Sequence, residues 1–539
     1  MEFKRKRKKN KKILAKKKVN LYIWSLKLCG EPKTQKGVSQ MKIKLILTIA
    51  LLVLAFANQG LAQTLWFGNQ VIVTRNLLDY NLLGGGARAR GMGGAFIAVS
   101  DDPSAASWNP AGLTQLDKYQ MGATLYFINP RLKYTTTYAN SDFLNSLKQN
   151  KSSISFGSVI IPFKLYQKEV VGSVLYNRSS DIYDKRIYNF PGDRRIDGFG
   201  VYDLRGTDIP GGDSVRIGDK QDEITGGMDV VNLSLGTKVY KDLSLGVGIN
   251  IYTGSYEYNS NQQIRFTWNP AFDTLITYHP FIKGTYSGAN FTLGAMYKYR
   301  DFRVGAIVKT PFKLQEKDDA QFLKDVIING YTISNPDAIS SRPVFPVEYT
   351  QKWEIPLTAG FGVSYRMKGL TLAGDLELRN FSKAKLEYPS KWSDPNSPTA
   401  TMDLDWNSLT QFRIGGEYVY QSKYGTIPIR AGFRNDPQVF SDLKDIDMEF
   451  VDYDPQVAPT LMNSADAISI VSQTNGSKVT GNTFSLGTGI GWSQIKLDFT
   501  FEYSQYNTKM AGTILGKSFE IDKIEKKDSR FLVNFTGFF

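Results

Sequence analysis

The sequence predicts an all-β protein, a transmembrane antiparallel β-barrel of about 14 strands. Three observations carry this. Beyond residue 118, apolar and polar residues alternate with period two in runs of nine to thirteen, with no long helical window. Such runs exceed the ~5–6 residues usual in soluble strands and suffice to cross a bilayer at about 45°. The links between runs alternate short and long, the rhythm of periplasmic turns and external loops. A soluble sandwich shares the alternation but has no reason for that rhythm.

The first elements do not belong to the barrel. The chain has 539 residues and a net charge of +15, but 14 of its cations, against only Glu2 and Glu31, lie in residues 1–40. Lys42 and Lys44 follow, so residues 63–539 are almost neutral, at about +1. Met41-Lys-Ile-Lys opens a secretory signal, residues 41–62. Leu45–Ala57 is its apolar run, and Gly60-Leu61-Ala62 supplies small residues before a cut after Ala62. The run is shorter than the ~20 residues a membrane helix needs. A signal stands at a chain's start, so residues 1–40 read as a basic extension upstream of the true initiator, Met41. A nucleic-acid or membrane-surface arm is the rival for that extension. No nucleic-acid partner is expected for the nearly neutral body.

The strands are expected near 119–127, 152–160, 168–177, 229–239, 242–257, 285–298, 301–311, 353–365, 369–380, 410–420, 425–434, 481–492, 494–505 and 529–539. Ile495, Leu497, Phe499, Phe501 and Tyr503, for example, alternate with Lys496, Asp498, Thr500, Glu502 and Ser504. Short links such as Tyr299-Arg300 and Met367-Lys-Gly369 separate pairs, whereas 178–228, 312–352, 381–409 and 435–480 are long. With apolar faces toward lipid, Arg303, Lys309, Asp375, Glu377, Arg379, Arg413, Glu417, Arg430, Arg434, Lys496, Asp498 and Glu502 line the lumen, as mutually satisfied pairs that stiffen it. The last run, Phe531-Leu-Val-Asn-Phe-Thr-Gly-Phe-Phe539, puts Phe531, Val533, Phe535 and Phe539 on one face and ends on an aromatic. It suits a strand that closes the cylinder and is presented to the barrel-assembly machinery. Aromatics are 13% of the chain and cluster near strand ends, as in interfacial girdles. Phe266, Trp268, Tyr278, Phe281, Trp353 and Trp392 fall in or beside loops, as girdle residues or an external capture surface.

Catalytic chemistry finds no footing. Cys29 lies in the basic extension, so the body has no cysteine, which excludes disulfides and thiolate metal sites. The one histidine, His279, stands beside Pro280 in a polar stretch and reads as a solvated loop residue. Ser-His and multi-histidine zinc arrangements are thereby closed off elsewhere. No spacing points to a carboxylate pair or Ser-Lys. No enzyme, catalytic residue, cofactor or metal is expected.

Residues 82–118 break the strand pattern. Gly and Ala dominate Leu82-Leu-Gly-Gly-Gly-Ala-Arg88-Ala-Arg90-Gly-Met-Gly-Gly-Ala, and Asp102 before Pro103 looks like the cap of a short helix ending before Asn109-Pro110. Gly86 and Gly91 have P-loop spacing, but Met92-Gly93 replaces Lys and Ser/Thr, and no nucleotide site follows.

The Gly-rich lead with Arg88, the Asp101-Asp102 pair and the following Asn109-Pro110-Ala111 resemble the N-terminal hatch of the FadL/TodX family of outer-membrane hydrophobic-compound transporters. The similarity spans about 35 residues, and the strand pattern extends it coarsely. It implies that residues 63–118 form an N-terminal segment and hatch plugging the lumen of a barrel at 119–539. Arg88, Asp101, Asp102, Trp108, Asn109, Pro110 and Ala111 would be hatch residues. It further implies passive transport of hydrophobic molecules, typified by long-chain fatty acids, captured outside and released sideways through a gap in the wall. The expected partners are hydrophobic small molecules and outer-membrane lipid, and both termini would lie in the periplasm. Trp108-Asn-Pro-Ala111 also resembles PorV-like members, which serve type IX secretion. A secretion component is therefore the alternative, and a general porin a third.

Overall fold

The computed structural model describes residues 80–135, 144–146, 150–188, 214–268, 272–328, 331–332, 347–389, 398–450, 468–510, 513–514, 517–518 and 522–539. The basic extension and the signal lie outside them. Fourteen antiparallel strands form the wall. They are β1 (Gln120–Thr135), β2 (Lys151–Leu165), β3 (Lys168–Tyr188), β4 (Ser214–Tyr240), β5 (Leu243–Trp268), β6 (Phe272–Tyr299) and β7 (Phe302–Lys309). Then come β8 (Thr358–Met367), β9 (Leu370–Arg379), β10 (Leu409–Ser422), β11 (Gly425–Phe450), β12 (Ile468–Gly491), β13 (Ile495–Met510) and β14 (Asp522–Phe538). Each pairs with its neighbour, and β1 pairs with β14 from Gln120↔Phe538 to Thr135↔Lys523, which closes the cylinder. Each of the fourteen expected runs falls on one of these strands, the eighth only in part.

The exposed face identifies the solvent. Leu293, Phe302, Phe412, Leu486 and Phe535 are 54, 55, 44, 63 and 45% exposed, while alternate residues are buried. That much apolar surface, present on thirteen of the fourteen strands and missing only from β3, is stable only in hydrocarbon, with the backbone paired nearly all round. At one rim turns of two or three residues join the strands. Tyr166 and Gln167 both take positive φ, as a type I′ turn requires, and so do Lys368 and Gly369, whereas at the third such turn Arg300 alone does.

Three expectations change. The long links 178–228, 312–352, 381–409 and 435–480 contain paired strand, so β4 runs for 27 residues and β11 for 26. Past the lipid band the outer face is wetted and loses its apolar alternation, yet the ladder continues. The expected strand 353–365 is two, Val347–Ile355 and β8, separated by Pro356 and Leu357. Proline has no N–H to give a ladder, and the wall breaks there. His279 is within β6 rather than in a loop, opposite Leu323. The β5–β6 ladder skips from Asn259↔Phe281 to Gln262↔Tyr278, so Pro280 sits where no β5 partner needs its nitrogen.

Above the lipid band the interior is an apolar cluster that includes Tyr80, Tyr252, Tyr256, Trp353, Phe381 and Trp406. Below it lies a layer of ion pairs threaded by residues 80–117.

Candidate functional site: the filled lumen

The segment before β1 descends through the barrel from the long-strand end to the short-turn rim. Of residues 83–113 only Arg90, Asp101, Asp102 and Ser107 are not fully buried. At the top, Tyr80 packs on Phe381 and Trp406, with centroids at 5.2 and 4.9 Å, and Arg379 Nη1 donates to its carbonyl at 3.0 Å. Asn81 Nδ2 donates to the Pro437 carbonyl at 2.9 Å, and Asn177 Nδ2 to that of Leu83 at 2.9 Å.

A short helix, α1 (Ala87–Gly91), follows. Arg88 grips both oxygens of Glu417 at 2.7 and 2.8 Å and also Asp101 at 2.5 Å. Arg90 grips both oxygens of Glu502 at 2.9 and 2.5 Å. Such forked pairs fix orientation as well as position. Beyond α1, Asp375 Oδ2 accepts from the backbone of Phe96 at 2.7 Å and of Ile97 at 2.9 Å.

The expected helix is present but shorter. Helix α2 covers Ala105–Trp108, with Ser104 rather than Asp102 at its N-cap. Asp102 Oδ1 accepts from the Ser104 nitrogen and hydroxyl at 2.8 and 2.6 Å, which makes it the side chain of a turn. Trp108 lies edge-on to Phe96 and beside the Arg413 guanidinium, and its Nε1 donates to the Gly85 carbonyl at 2.9 Å. Asn109 caps the 3₁₀ helix Pro110–Gln115 by accepting from Ala111 N at 3.0 Å. Its Nδ2 donates to the carbonyls of Ile97 and of Ala295 in β6 at 3.0 and 3.1 Å. Pro110 fills the first helical position, where no N–H is needed, and Ala111 is wholly buried. All seven residues singled out from the sequence therefore lie in this buried segment, and Arg88, Asp101 and Asp102 meet one another.

Charge is balanced locally. Burial alone raises the Asp101 and Asp102 carboxyls. At Asp101, Arg88 and Arg366 more than reverse this and hold it at about 2. Asp102 is 3.8 Å from Arg88, burial prevails, and its carboxyl is pushed up. Burial also acts against the Arg88 cation, but Asp101 and Glu417 outweigh it and raise its value. Among the wall residues expected to face inward, Arg413 and Arg379 meet Glu377, Arg430 meets Glu417 and Asp498, and Arg434 meets Glu502. These are not wall pairs alone. Glu417, Glu502 and Asp375 also hold the inner segment. Among the described residues no cluster of His, Asp, Glu or Cys has a metal-holding arrangement.

The overlooked signal was glycine. A Cβ at Gly415 would stand 2.1 Å from the Met92 carbonyl oxygen, and one at Gly432 2.0 Å from the Gly93 nitrogen. Inward-facing glycines let one backbone lie directly against another. Trp353, proposed for external capture or a girdle, is 2% exposed and stacks on Trp406 at 5.7 Å. Its indole N–H is bonded to buried Glu316 at 2.6 Å, which suits an interior place. Phe281 is half-buried in β6. The side chains of Phe266, Trp268, Tyr278 and Trp392 lie outside the described residues.

Two cavities flank the segment. One of about 160 Å³, toward the short-turn rim, is lined by Arg88, Asp102, Gln120, Lys496, Asp498 and Asn534, among others. The other, about 60 Å³, lies against Arg90, Tyr126, Asn177, Arg178, Asp181 and Arg530. It sits where the wall parts. The β2–β3 ladder runs from Leu165↔Lys168 to Phe156↔Asn177 and stops. Beyond it β2 pairs only with β1, β3 slips register against β4 between Arg178 and Ser180, and β3 next meets a far-side partner at Ser146↔Arg186.

A family model described as BamG matches residues 206–439. No curated protein matches the chain. The solved structure of a FadL homologue from Pseudomonas aeruginosa is similar at a TM-score of 0.51 and 15% identity, over 84% of this chain and 98% of that one. The toluene transporter TbuX of Ralstonia pickettii matches at 0.47 and 13%, over 85% and 100%. The P. putida toluene transporter TodX matches at 0.47 and 12%, over 85% and 99%. The fold is thus that of a FadL homologue, an outer-membrane barrel.

Proposed function

We propose that this protein is a passive outer-membrane transporter for hydrophobic molecules of the long-chain fatty-acid kind. The observation that carries this reading is the parting of the wall between β2 and β3, with a cavity behind it that reaches the inner segment. Residues 82–117 act as a plug that denies an aqueous route, which argues against a general porin. The parted strands give an apolar chain a sideways exit into the bilayer, and Arg90, Arg178 and Arg530 give a carboxylate head polar company on the way. Lipopolysaccharide resists apolar diffusion, so a protein route is of use.

The test is native mass spectrometry of the purified protein, with extraction and identification of its lipids. Fatty acids or other apolar molecules that co-purify, and are lost when 82–115 are deleted, support transport. A ligand-free barrel holding a protein partner tightly overturns it in favour of the second reading. That reading, a fixed subunit of an outer-membrane assembly or secretion machine, draws on the partial BamG match and on how firmly the plug is bonded to the wall.

A further inference from the structure

The outer wall is not uniformly charged. Beyond the lipid band, β1, β14 and β13 carry Arg131, Lys133, Lys509, Lys523 and Lys527 on their outward faces, all exposed; among the described residues they are met by Glu525 on β14 and by Asp442 of β11, whose Oδ1 accepts from the Lys509 nitrogen at 2.9 Å. The ladder makes them neighbours. Arg131 is opposite Lys527, Lys133 opposite Glu525, and Lys523 opposite Lys509. Glu525 is held between Lys523 and Lys527 at 3.0 and 3.4 Å, so it neutralises a fraction of the patch. Like charges directly across a sheet destabilise it, so this grouping costs stability in the isolated protein.

The opposite side of the barrel is balanced. Lys313, Lys352 and Lys385 on the outer hairpins are matched by Glu354, Glu387 and Asp403, and Lys313–Glu387 and Lys385–Asp403 are ion pairs. Solubility therefore does not account for the cationic side.

Its height is specific. Phe127, Phe531 and Phe499 form an outward row, with ring centroids 6.5 and 6.4 Å apart. Arg131 and Lys527 lie four residues beyond Phe127 and Phe531, about 13 Å along the strand and roughly 9 Å along the membrane normal at a tilt near 45°. A polar headgroup layer adds about 5–7 Å to each side of the hydrocarbon. The cations thus start at the headgroup layer of the outer leaflet and the aromatic row meets the acyl chains.

We propose that this face seats a phosphorylated glycolipid of the outer leaflet. Its phosphates meet Arg131, Lys133 and Lys527, below Lys523 and Lys509 on the same face, and its acyl chains lie on Phe127, Phe499 and Phe531. The charge excess selects an anion and the acyl-facing row selects a lipid. Arg131 adds a planar fork matched to phosphate oxygens. The inference stands whether the lumen transports or not.

The test uses the signal-cleaved chain in mild detergent, with native mass spectrometry and two probes, diphosphoryl hexa-acyl lipid A and the same lipid without phosphates. Wild type binds the phosphorylated form about tenfold or more tightly, with a preference that shrinks as salt is raised. Joint substitution of Arg131→Gln, Lys133→Gln and Lys527→Gln abolishes that preference. Lys313→Gln, Lys352→Gln and Lys385→Gln together leave it within about twofold. A charge-keeping set, Arg131→Lys with Lys133→Arg and Lys527→Arg, retains it and guards against a neutral variant that fails to fold. Equal affinity of wild type for both lipids overturns the proposal, as does equal loss in the two neutral variants. So does isolation of the protein with an acidic protein on this face in place of the glycolipid.

Discussion

Gly432 and Gly374 are both wall glycines, and only one faces the backbone of the inner segment. A methyl at Gly432 would meet Gly93 N at 2.0 Å, whereas at Gly374 its nearest contact would be the Arg413 carbonyl oxygen at 3.8 Å. Gly432→Ala is expected to unseat the inner segment, read as new protease cleavage between residues 83 and 113 in the folded barrel, and Gly374→Ala to leave it protected. Glu417 joins Arg88 of that segment to Arg430 of the wall. Glu417→Gln leaves two buried guanidinium groups short of a counter-charge, an expected cost of about 3–5 kcal/mol. A lower midpoint in heat-dependent gel mobility checks it. Asp101 is held at about 2, below its unfolded range, so its stabilising contribution is present above about pH 4 and lost as pH falls toward 2. Protection of the segment should accordingly hold from pH 7 to 4 and fail only in stronger acid. Of these residues, Arg88, Asp101 and Asn109 stood out in the sequence because polar groups amid Gly and Ala are conspicuous. Their wall partners did not, because an inward Glu among alternating polar residues carries no mark of what it touches.

At the scale of elements, the strands were legible where lipid writes on them. Thirteen of the fourteen expose Leu, Ile, Val, Phe or Tyr over the band, so the alternation marks them, and β3 is marked by its β-branched run instead. The same strands were invisible beyond the band. Ser180–Tyr188 of β3 and Lys220–Met228 of β4 pair residue by residue, yet water wets their outer face and no apolar period remains. The break at Pro356 and the skipped ladder at Pro280 were readable in principle, since each proline marks a lost donor. The inner helices are too short for periodicity to show. Tyr80 joins two elements, its ring in the upper aromatic cluster and its chain leading six residues on to Gly86 at the head of α1. Tyr80→Ala is expected to cost about 3–5 kcal/mol if the cluster cannot close over the void. Hydrogen exchange would show faster opening in Phe381, Trp406 and residues 81–86 together, and unchanged rates at 81–86 would show that the two layers are independent.

For the whole molecule, β1 and β14 share the ladder that shuts the wall, and the filled lumen lies inside it. Deleting 82–115 should leave a folded barrel whose conductance in planar bilayers rises from near zero to stable, ohmic steps. An unchanged trace would mean that the upper aromatic layer alone blocks the path. The close fit at Gly415 and Gly432 also dictates an order of events. A backbone packed at such clearances cannot be pushed in through a finished ring, and it is joined without a break to the strand that begins the wall. The ring has to be drawn around it, and the bond network between residues 120–135 and 523–538 is the last to form. Biogenesis is then a one-way enclosure. A peptide of residues 80–118 added to a completed, empty barrel would find no door, however well it matched the space inside.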